Sequence, residues 1–291
     1  MYYYIETSDQ LKTVLDELHI LAQEKGWIGV DTEFYRVSTY WPILSLIQVA
    51  AGDQIFLFDV LRLEENIFKL SKVLCDPSVL KIFHSAEQDL GILNKLFQND
   101  VFPVFDTQIS AKLYGFGNQI GYGNLVEAAL NITLSKQEQF SQWLERPLRK
   151  EQLFYAALDV LYLGRLYEQM KDIDPQVLVE SHQPLQKLIL NEINPASLLK
   201  KIKRKPSGEH ALKILGRLVV LREEIAQEDD VPRQKVMTDR FILDLVQRVL
   251  KLSADLEKIP GFRPPMKKKW GAQISKILLE ERQIHLQSLE N

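Results

Sequence analysis

Two carboxylates, Asp31 and Glu33, stand two residues apart at the end of an apolar segment that begins at Trp27. In a β-strand, side chains with this spacing lie on the same face of the sheet. Two anions about 4 Å apart repel each other by about 4 kcal/mol at an effective dielectric constant near 20. The pair therefore needs a cation or a shared proton, although a solvated strand end with two acids by chance would give the same pattern.

Three further residues are candidates to join this pair. Asp89 falls in the first turn of a predicted helix that follows a strand ending at His84, where sites of α/β proteins form. Tyr155 and Asp159 are four residues apart, which places both on one helix face. Each has a structural alternative: an acid favoured by the helix dipole for Asp89, and a buried hydrogen-bonded pair for Tyr155 and Asp159.

The elements that must position these residues alternate between strands and helices. The residue pattern predicts strands at 2–5, 27–33, 44–50, 54–59, 80–83 and 104–107. It predicts helices at 7–25, 64–75, 86–97, 108–114, 124–130 and 150–171, with a connector at 131–142 that is anchored by 143–148. A hairpin signal at Ala51-Gly52-Asp53 makes three neighbouring strands antiparallel, and strand–helix–strand units follow. The sequence predicts an α/β domain with a mixed sheet of five to six strands.

The chain changes character after Asp174-Pro175. A helix is predicted at 176–192, and a basic cluster at 200–205 ends at Pro206-Ser207-Gly208. From His210 onward only helices are predicted, with an apolar stripe that includes Leu212, Leu215 and Val219 and a last helix at about 270–288. We therefore expect a first domain at 1–175, a helical connector and basic linker at 176–208, and a helical bundle at 209–291.

Composition excludes several classes of protein. The 291 residues are 46% hydrophobic and 26% charged, with a net charge of −3, which is typical of an ordinary soluble protein and argues against a uniformly basic surface. Cys75 is the only cysteine, so neither an intrachain disulfide nor a cysteine-rich zinc site can form. With no leader pattern and no run of about 18 apolar residues, we expect a cytoplasmic protein that does not associate with membranes.

Three separated motifs, in order along the chain, resemble the exonuclease motifs of the DEDD superfamily. They are Asp-x-Glu at 31–33, Asp89, and Tyr-x-x-x-Asp at 155–159, whose tyrosine is typical of one subclass. The flanking segments Val30-Asp-Thr-Glu-Phe-Tyr-Arg36 and Trp143-Leu-Glu-Arg-Pro-Leu-x-x-x-Gln-Leu-x-Tyr-Ala-Ala-x-Asp-Val-x-Tyr-Leu163 are similar to the ribonuclease D family. The resemblance covers most of residues 1–175, and every catalytic position is filled.

The helical part carries a second resemblance. Leu221-Arg222-Glu223, Val231-Pro232, Thr238-Asp239 and Leu256-x-x-Ile259-Pro260-Gly261 are similar to the helicase-and-RNase-D C-terminal (HRDC) domain. Ribonuclease D enzymes can carry two such domains, whereas the residues after the linker suffice for about one. We therefore expect a shorter version of the family's architecture, which would grip its substrate differently.

The resemblance implies a ribonuclease H-like fold and a 3′-5′ exoribonuclease that releases 5′-mononucleotides, with tRNA precursors as an expected substrate. It also implies two divalent ions, Mg²⁺ or Mn²⁺, with Asp31, Glu33, Asp89 and Asp159 as their ligands. Asp31 would contact both metals, Glu33 and Asp159 mainly the one that activates water, and Asp89 the other through water. Tyr155 would orient the attacking water, because a phenol with a pKa near 10 is a poor base.

Residues beside these motifs are candidates for substrate contacts. The Thr32 backbone is expected to meet the terminal sugar, and Phe34 to wedge against the terminal base. His84 would contact the phosphate or ribose, or else only cap its strand. Gln48 and Gln108 would line the groove or hydrogen-bond at the edge of the core.

Charged residues outside the catalytic set have other expected roles. Asp106 falls outside the catalytic set, and we expect it to be a structural acid at a strand end. The basic cluster at 200–205 and Lys267–Lys269 would contact phosphates, with a solvated linker and a charged loop as the alternatives.

Two other functions compete with this interpretation. A 3′-5′ exonuclease that acts on DNA would use the same acids, but no polymerase or helicase segment accompanies them. A nucleic-acid-binding scaffold with an inactive nuclease fold would not need all the acids to be intact. The expected partner is the 3′ end of single-stranded RNA, and we expect a monomer without an obligate protein partner.

Overall fold

The chain forms two compact units. The first comprises Met1–Tyr35 with Pro42–Asn191, and the second comprises Arg36–Trp41 with Glu192–Asn291. The computed structural model describes residues 1–134, 138, 141–185, 193–251 and 264–290. No helix in these ranges is both long and apolar enough to cross a membrane.

A six-stranded mixed sheet is the centre of the first unit, as the sequence predicts. The strands are β1 (Tyr2–Ile5), β2 (Trp27–Tyr35), β3 (Ile43–Ala51), β4 (Gln54–Asp59), β5 (Leu80–Phe83) and β6 (Val104–Asp106). Their spatial order is β1-β4-β3-β2-β5-β6. The strands β2, β3 and β4 are antiparallel neighbours, whereas β1 runs parallel to β4, and β5 runs parallel to both β2 and β6.

Ten helical segments of the first unit surround this sheet within the described residues. They are α1 (Ser8–Lys25), α2 (Val60–Leu63), a 3₁₀ helix (Glu64–Leu70), α3 (Ser71–Leu74), α4 (Glu87–Phe97), α5 (Thr107–Leu113), α6 (Tyr122–Leu130), α7 (Lys150–Leu161), α8 (Leu163–Met170) and α9 (Pro175–His182), which a 3₁₀ turn (Gln183–Leu185) continues. Helix α1 has the predicted bounds: Thr7 and Gln10 form a capping box, and Gly26 ends the helix at φ 70°.

Two predicted helices of this unit are wrong. The segment 64–75 is divided at Ser71 into the 3₁₀ helix and α3, and the φ of 50° at Glu64 separates this segment from α2, because an α-helix cannot continue through that conformation. The segment 150–171 is divided at Tyr162 into α7 and α8. The predicted helix at 176–192 is α9 with its 3₁₀ turn, and its last residues lie outside the described part of the chain.

Strand β2 runs through the middle of the sheet with a core on each side. Ile28 and Val30 point into an apolar core on one face, so Gly29, Asp31 and Glu33 point to the other. Gly29 leaves room there for the helices: an added Cβ would lie 3.1 Å from Leu163 Cβ. The acidic face of β2 is therefore the face covered by α7 and α8.

Arg146 fastens the segment before α7 to the sheet, as predicted for residues 143–148. Its Nε and Nη2 donate to the two carboxylate oxygens of Asp59, at 2.6 and 2.9 Å. Its Nη1 donates to the Trp143 carbonyl at 2.7 Å. Because the Asp59 side chain is fully buried, this pair fixes where α7 begins.

The second unit is helical, as predicted. Its helices are α10 (Pro195–Lys200), α11 (Glu209–Glu228), α12 (Arg233–Val236), α13 (Asp239–Leu250) and α14 (Pro264–Glu290). The apolar stripe is confirmed at Leu215 and Val219, which are fully buried, and wrong at Leu212, which is 36% exposed. Tyr40 also packs in this core. The turn at Ile259-Pro260-Gly261 lies outside the described residues.

Candidate active site

Strand β2 and helix α7 bring three carboxylates together. One carboxylate oxygen each from Asp31, Glu33 and Asp159 lies within 4.8 Å of the others. Asp31 and Glu33 share a face of β2, and Asp159 reaches them from the third turn of α7. In the described part of the chain, no other three acidic, histidine or cysteine side chains form such a group.

Asp89 reaches the same place from the first turn of α4. It is 7% exposed, and its Oδ1 accepts a short hydrogen bond from Thr32 Oγ1. Thr32 stands between Asp31 and Glu33 on β2, so this bond ties Asp89 to the acidic strand. The structure therefore brings together all four carboxylates that the sequence predicted, with Asp89 outside the closest group of three.

Burial raises the pKa values of all four acids. Burial, and then the charges of the neighbouring acids, raise the pKa values of Asp31 and Glu33 well above their usual range. Burial raises the pKa of Asp89 to about 6, against the hydrogen bond from Thr32. It raises the pKa of Asp159 to about 7, and a hydrogen bond from Tyr155 opposes this.

A hard divalent cation fits this site. Carboxylate oxygens are the ligands that Mg²⁺ and Mn²⁺ prefer. A bound cation would offset the repulsion that contributes to the raised pKa values of Asp31 and Glu33. Asp31, Glu33 and Asp159 offer oxygens close enough to share an ion, and Asp89 adds a fourth carboxylate beside them.

Tyr155 faces the acids one helical turn before Asp159. Its hydroxyl hydrogen-bonds to Asp159, and burial together with the charges of Asp159, Glu33 and Asp31 raises its pKa. The phenol therefore stays protonated at neutral pH, so it can donate a hydrogen bond and cannot act as a base.

A cavity of about 290 Å³ opens beside these acids. Its lining residues are Val30, Asp31, His84, Ser85, Gln108, Gly121, Tyr122, Tyr155, Asp159 and Leu163. It therefore lies between the middle of β2, the end of β5, helix α7 and the glycine-rich segment at 115–123.

His84 and Gln108 line this cavity, but both side chains hydrogen-bond to the backbone carbonyl of Ile120. Burial lowers the pKa of His84, so the ring is neutral. Its Nε2 lies 3.0 Å from the Ile120 carbonyl, which can only accept, so the proton is on Nε2. Gln108 Nε2 donates to the same carbonyl at 3.0 Å. Together they fix the glycine-rich segment at Ile120.

The other expected substrate residues occupy different surroundings. Gln48 pairs with Asp31 in the register of β2 and β3; it is fully buried, and its amide has no hydrogen-bond partner within the described part of the chain. Phe34 is half-buried against the core, and Thr32 is bonded to Asp89. Contacts of these residues with a substrate stay predictions.

Asp106 has the structural role that the sequence suggests. Its carboxylate accepts from the backbone amides of Ser85 (3.0 Å), Ala86 (2.8 Å) and Gln108 (2.8 Å). Ser85 has a φ of 64°, so this turn needs such support. Because α4 starts directly afterwards, Asp106 fixes the helix that carries Asp89.

Sequence reasoning missed Tyr122, which begins α6. Its hydroxyl accepts from the Tyr162 amide at 3.2 Å and donates to the Leu158 carbonyl at 3.0 Å. In an unbroken helix that amide would bond that carbonyl, so the hydroxyl divides α7 from α8. The one sequence signal was a tyrosine among the glycines at 115–123.

Two protein families match the chain. Residues 2–173 match the 3′-5′ exonuclease family, and residues 211–278 match the HRDC domain. The first match contains the four carboxylates and Tyr155. The second falls within the helical unit.

Named relatives agree with these matches. Ribonuclease D of Gluconacetobacter diazotrophicus is 34% identical over 254 residues, which cover 83% of this chain and 62% of that protein. Ribonuclease D of Pseudomonas paraeruginosa is 30% identical over 287 residues, covering 94% of this chain and 75% of that protein. The chain thus spans less than two thirds of the Gluconacetobacter protein.

A solved structure shares the fold. The crystal structure of Escherichia coli RNase D, described as an exoribonuclease involved in structured RNA processing, superimposes with a TM-score of 0.77 at 26% sequence identity. The match covers 97% of this chain and 75% of that chain.

Proposed function

Because the chain belongs to the ribonuclease D family of 3′-5′ exonucleases, we propose that it is a 3′-5′ exoribonuclease. It removes nucleotides from the 3′ ends of single-stranded RNA and releases 5′-mononucleotides. The observation that carries this proposal is the group of carboxylate oxygens from Asp31, Glu33 and Asp159 within 4.8 Å of one another.

The site's residues suit the hydrolysis of a phosphodiester. Asp31, Glu33, Asp89 and Asp159 would hold two divalent cations, Mg²⁺ or Mn²⁺, which when bound stabilise charge on the attacking and departing oxygens. Tyr155 stays protonated beside Asp159, so it would hold and orient the attacking water.

RNA affinity must come from outside this acidic site. Five cations at 200–205 are exposed, and none forms an ion pair with another described residue; we assign the phosphate contacts to them. Lys269 differs from these cations, because its Nζ lies 2.5 Å from Asp229 Oδ1.

We assign catalysis to a domain at 1–175, and we assign RNA binding to the linker at 176–208 and the HRDC-like domain at 209–291. The family matches at 2–173 and 211–278 support this division.

The test is hydrolysis of one RNA labelled in turn at its 3′ and 5′ ends, with Mg²⁺, Mn²⁺ or chelator. We expect immediate release of the 3′ label as a 5′-mononucleotide, stepwise shortening of the 5′-labelled strand, and no reaction in chelator. Asp159→Asn should abolish turnover and spare RNA binding, whereas Asp53→Asn, at an exposed hairpin acid, should retain turnover. Full turnover by Asp159→Asn would contradict the proposal.

The same assay separates the rival functions. A matched DNA strand cleaved faster than the RNA would indicate a DNA-directed exonuclease. Binding of RNA without hydrolysis in either metal would indicate a scaffold.

The finer assignment is to tRNA precursors, which a monomer would trim in the cytoplasm. A precursor with a 3′ extension should be shortened to its mature end, and light scattering should give the mass of one chain. A mature tRNA degraded as fast as its precursor would argue against this substrate.

A further inference from the structure

The helix that carries Asp159 is interrupted directly after it. Helix α7 ends at Leu161 and α8 begins at Leu163. The Tyr162 amide between them is shared by the Val160 carbonyl and the Tyr122 hydroxyl. That hydroxyl in turn donates to the carbonyl of Leu158, the residue before Asp159. The Tyr122 hydroxyl oxygen therefore lies between the Tyr162 amide and the Leu158 carbonyl. In an unbroken helix these two backbone groups would hydrogen-bond to each other directly.

The Tyr122 hydroxyl keeps its proton, which allows it to make both of these hydrogen bonds. Burial, with smaller contributions from the charges of Asp159 and Asp31, raises its pKa well above the usual value. The group stays protonated, so it can accept from Tyr162 and donate to Leu158 at the same time. A phenylalanine ring could fill the same space but could make neither bond.

The segment that presents Tyr122 is itself fixed. The Tyr122 ring packs edge-on against His84, with ring centroids 5.6 Å apart. Two residues earlier, the Ile120 carbonyl accepts from His84 Nε2 and Gln108 Nε2, both at 3.0 Å. The hydroxyl is thus held in place from the ends of β5 and β6, independently of α7.

The interruption lies against strand β2. A Cβ on Gly29 would come within 3.2 Å of the Val160 carbonyl and 3.1 Å of Leu163 Cβ. Gly29 precedes Asp31 by two residues on the same face of β2. The opened turn of the helix therefore meets the acidic strand where that strand has no side chain.

We propose that Tyr122 is a positioning residue whose hydroxyl holds the helix open between Leu158 and Tyr162 and thereby sets Asp159 against Asp31 and Glu33. This inference rests on the proposed function, because it assigns Tyr122 to the same metal-binding acids. Without the hydroxyl, the Tyr162 amide closes onto the Leu158 carbonyl at an ordinary helical distance of about 2.9–3.0 Å. Asp159 then turns with its helix relative to β2.

The test is Tyr122→Phe in the full chain, with Mn²⁺ binding measured by calorimetry in the absence of RNA. We expect Mn²⁺ affinity to fall by about 10-fold or more, the range seen when a group that orients a metal ligand is lost. The turnover number should fall while the KM for RNA and the melting temperature in chelator stay unchanged. Tyr114→Phe, at a tyrosine 39% exposed, should match the wild type throughout.

Amide hydrogen exchange at Tyr162 gives a readout that does not need catalysis. The exchange rate should change in Tyr122→Phe and stay the same in Tyr114→Phe. Only Tyr122→Phe removes a group to which the Tyr162 amide donates a hydrogen bond. Unchanged Mn²⁺ affinity in Tyr122→Phe would overturn the inference, as would a loss matched by an equal fall in stability.

The outcomes separate this inference from the proposed function. A wild-type protein that binds Mn²⁺ but leaves RNA intact would refute the exoribonuclease, while weaker Mn²⁺ binding by Tyr122→Phe would still support the positioning role. A wild-type protein that binds no Mn²⁺ would overturn both. Normal hydrolysis by Tyr122→Phe with normal Mn²⁺ affinity would overturn the inference alone.

Discussion

Replacement of Asp31 by asparagine should stabilise the metal-free protein while it removes the protein's response to divalent ions. Asparagine keeps the shape of the side chain and eliminates one charge from a group in which carboxylate oxygens lie within 4.8 Å of one another. Most substitutions of buried residues destabilise a protein, so a gain in stability here would be specific to charge repulsion.

The size of the effect follows from the pKa values and the geometry. Burial, and then the charges of Asp89, Asp159 and Glu33, raise the pKa of Asp31 well above its usual range, so asparagine removes a charge that is unfavourable on both grounds. One pair of charges at 4.8 Å repels by about 3.5 kcal/mol at an effective dielectric constant of 20. Acids that keep a proton at pH 8 do not repel, and solvent at the partly exposed acids screens the remaining repulsion. We therefore expect Asp31→Asn to raise the free energy of unfolding by about 1–3 kcal/mol at pH 8.

The pH dependence has a definite sign. The folded-state pKa of Asp159 is raised, so between about pH 4 and pH 7 the folded protein binds protons more tightly than the unfolded chain. This contribution to stability is present at pH 5 and is lost as the pH rises through 7. The advantage of Asp31→Asn over the wild type should therefore be larger at pH 8 than at pH 5.

Thermal unfolding in chelator at pH 5 and pH 8, repeated with Mg²⁺ and Mn²⁺, measures both effects. One kcal/mol corresponds to a shift of about 2–4 °C for a domain of this size. The wild type should gain stability from the metals at pH 8, and Asp31→Asn should not. The control is Asp106→Asn, which weakens a carboxylate that holds three backbone amides; it should lose stability at both pH values. A metal-free Asp31→Asn protein less stable than the wild type at pH 8 would refute the reasoning.

Two packing predictions concern how the site is held. Arg146→Met leaves the buried Asp59 carboxylate without its cation, and we expect urea unfolding to show a loss of about 3–5 kcal/mol; a loss below 1 kcal/mol would contradict this. Gly164→Ala would place a Cβ 2.0 Å from the Trp27 ring, and it should cost about 1–3 kcal/mol or more. Gly216→Ala, whose nearest neighbour would lie 3.8 Å away, should instead be neutral or stabilising, and equal losses at both glycines would refute the packing argument.

The local signals in the sequence were sufficient where the structure is decided locally. The bounds of α1 follow from the capping box at Thr7 and the left-handed Gly26, both of which depend on adjacent residues. The shared face of Asp31 and Glu33 follows from the period of a strand. The mixed sheet follows from the order of strands and helices, and the family resemblance supplied the remaining acids.

The error at 150–171 arose because a distant residue decides the local structure there. Apolar periodicity at 150–171 is continuous through Tyr162, so no pattern within that segment predicts the interruption. The interruption depends on a hydroxyl from Tyr122, forty residues earlier. In the same way, Gln108 could be assigned to the cavity from its position, but its bond to Ile120 depends on how the glycine-rich segment folds back.

The same distinction applies within the site itself. The pleat of β2 is sufficient to place Asp31 and Glu33 side by side. Asp159 lies on a helix, and the pleat does not determine how that helix is rotated about its axis relative to β2. The close approach at Gly29 fixes how near that helix comes, since any side chain there would meet Val160 and Leu163. The hydroxyl of Tyr122 fixes how the helix is turned. Motifs therefore identify the acids of such a site, but residues outside the motifs determine whether the acids can share an ion.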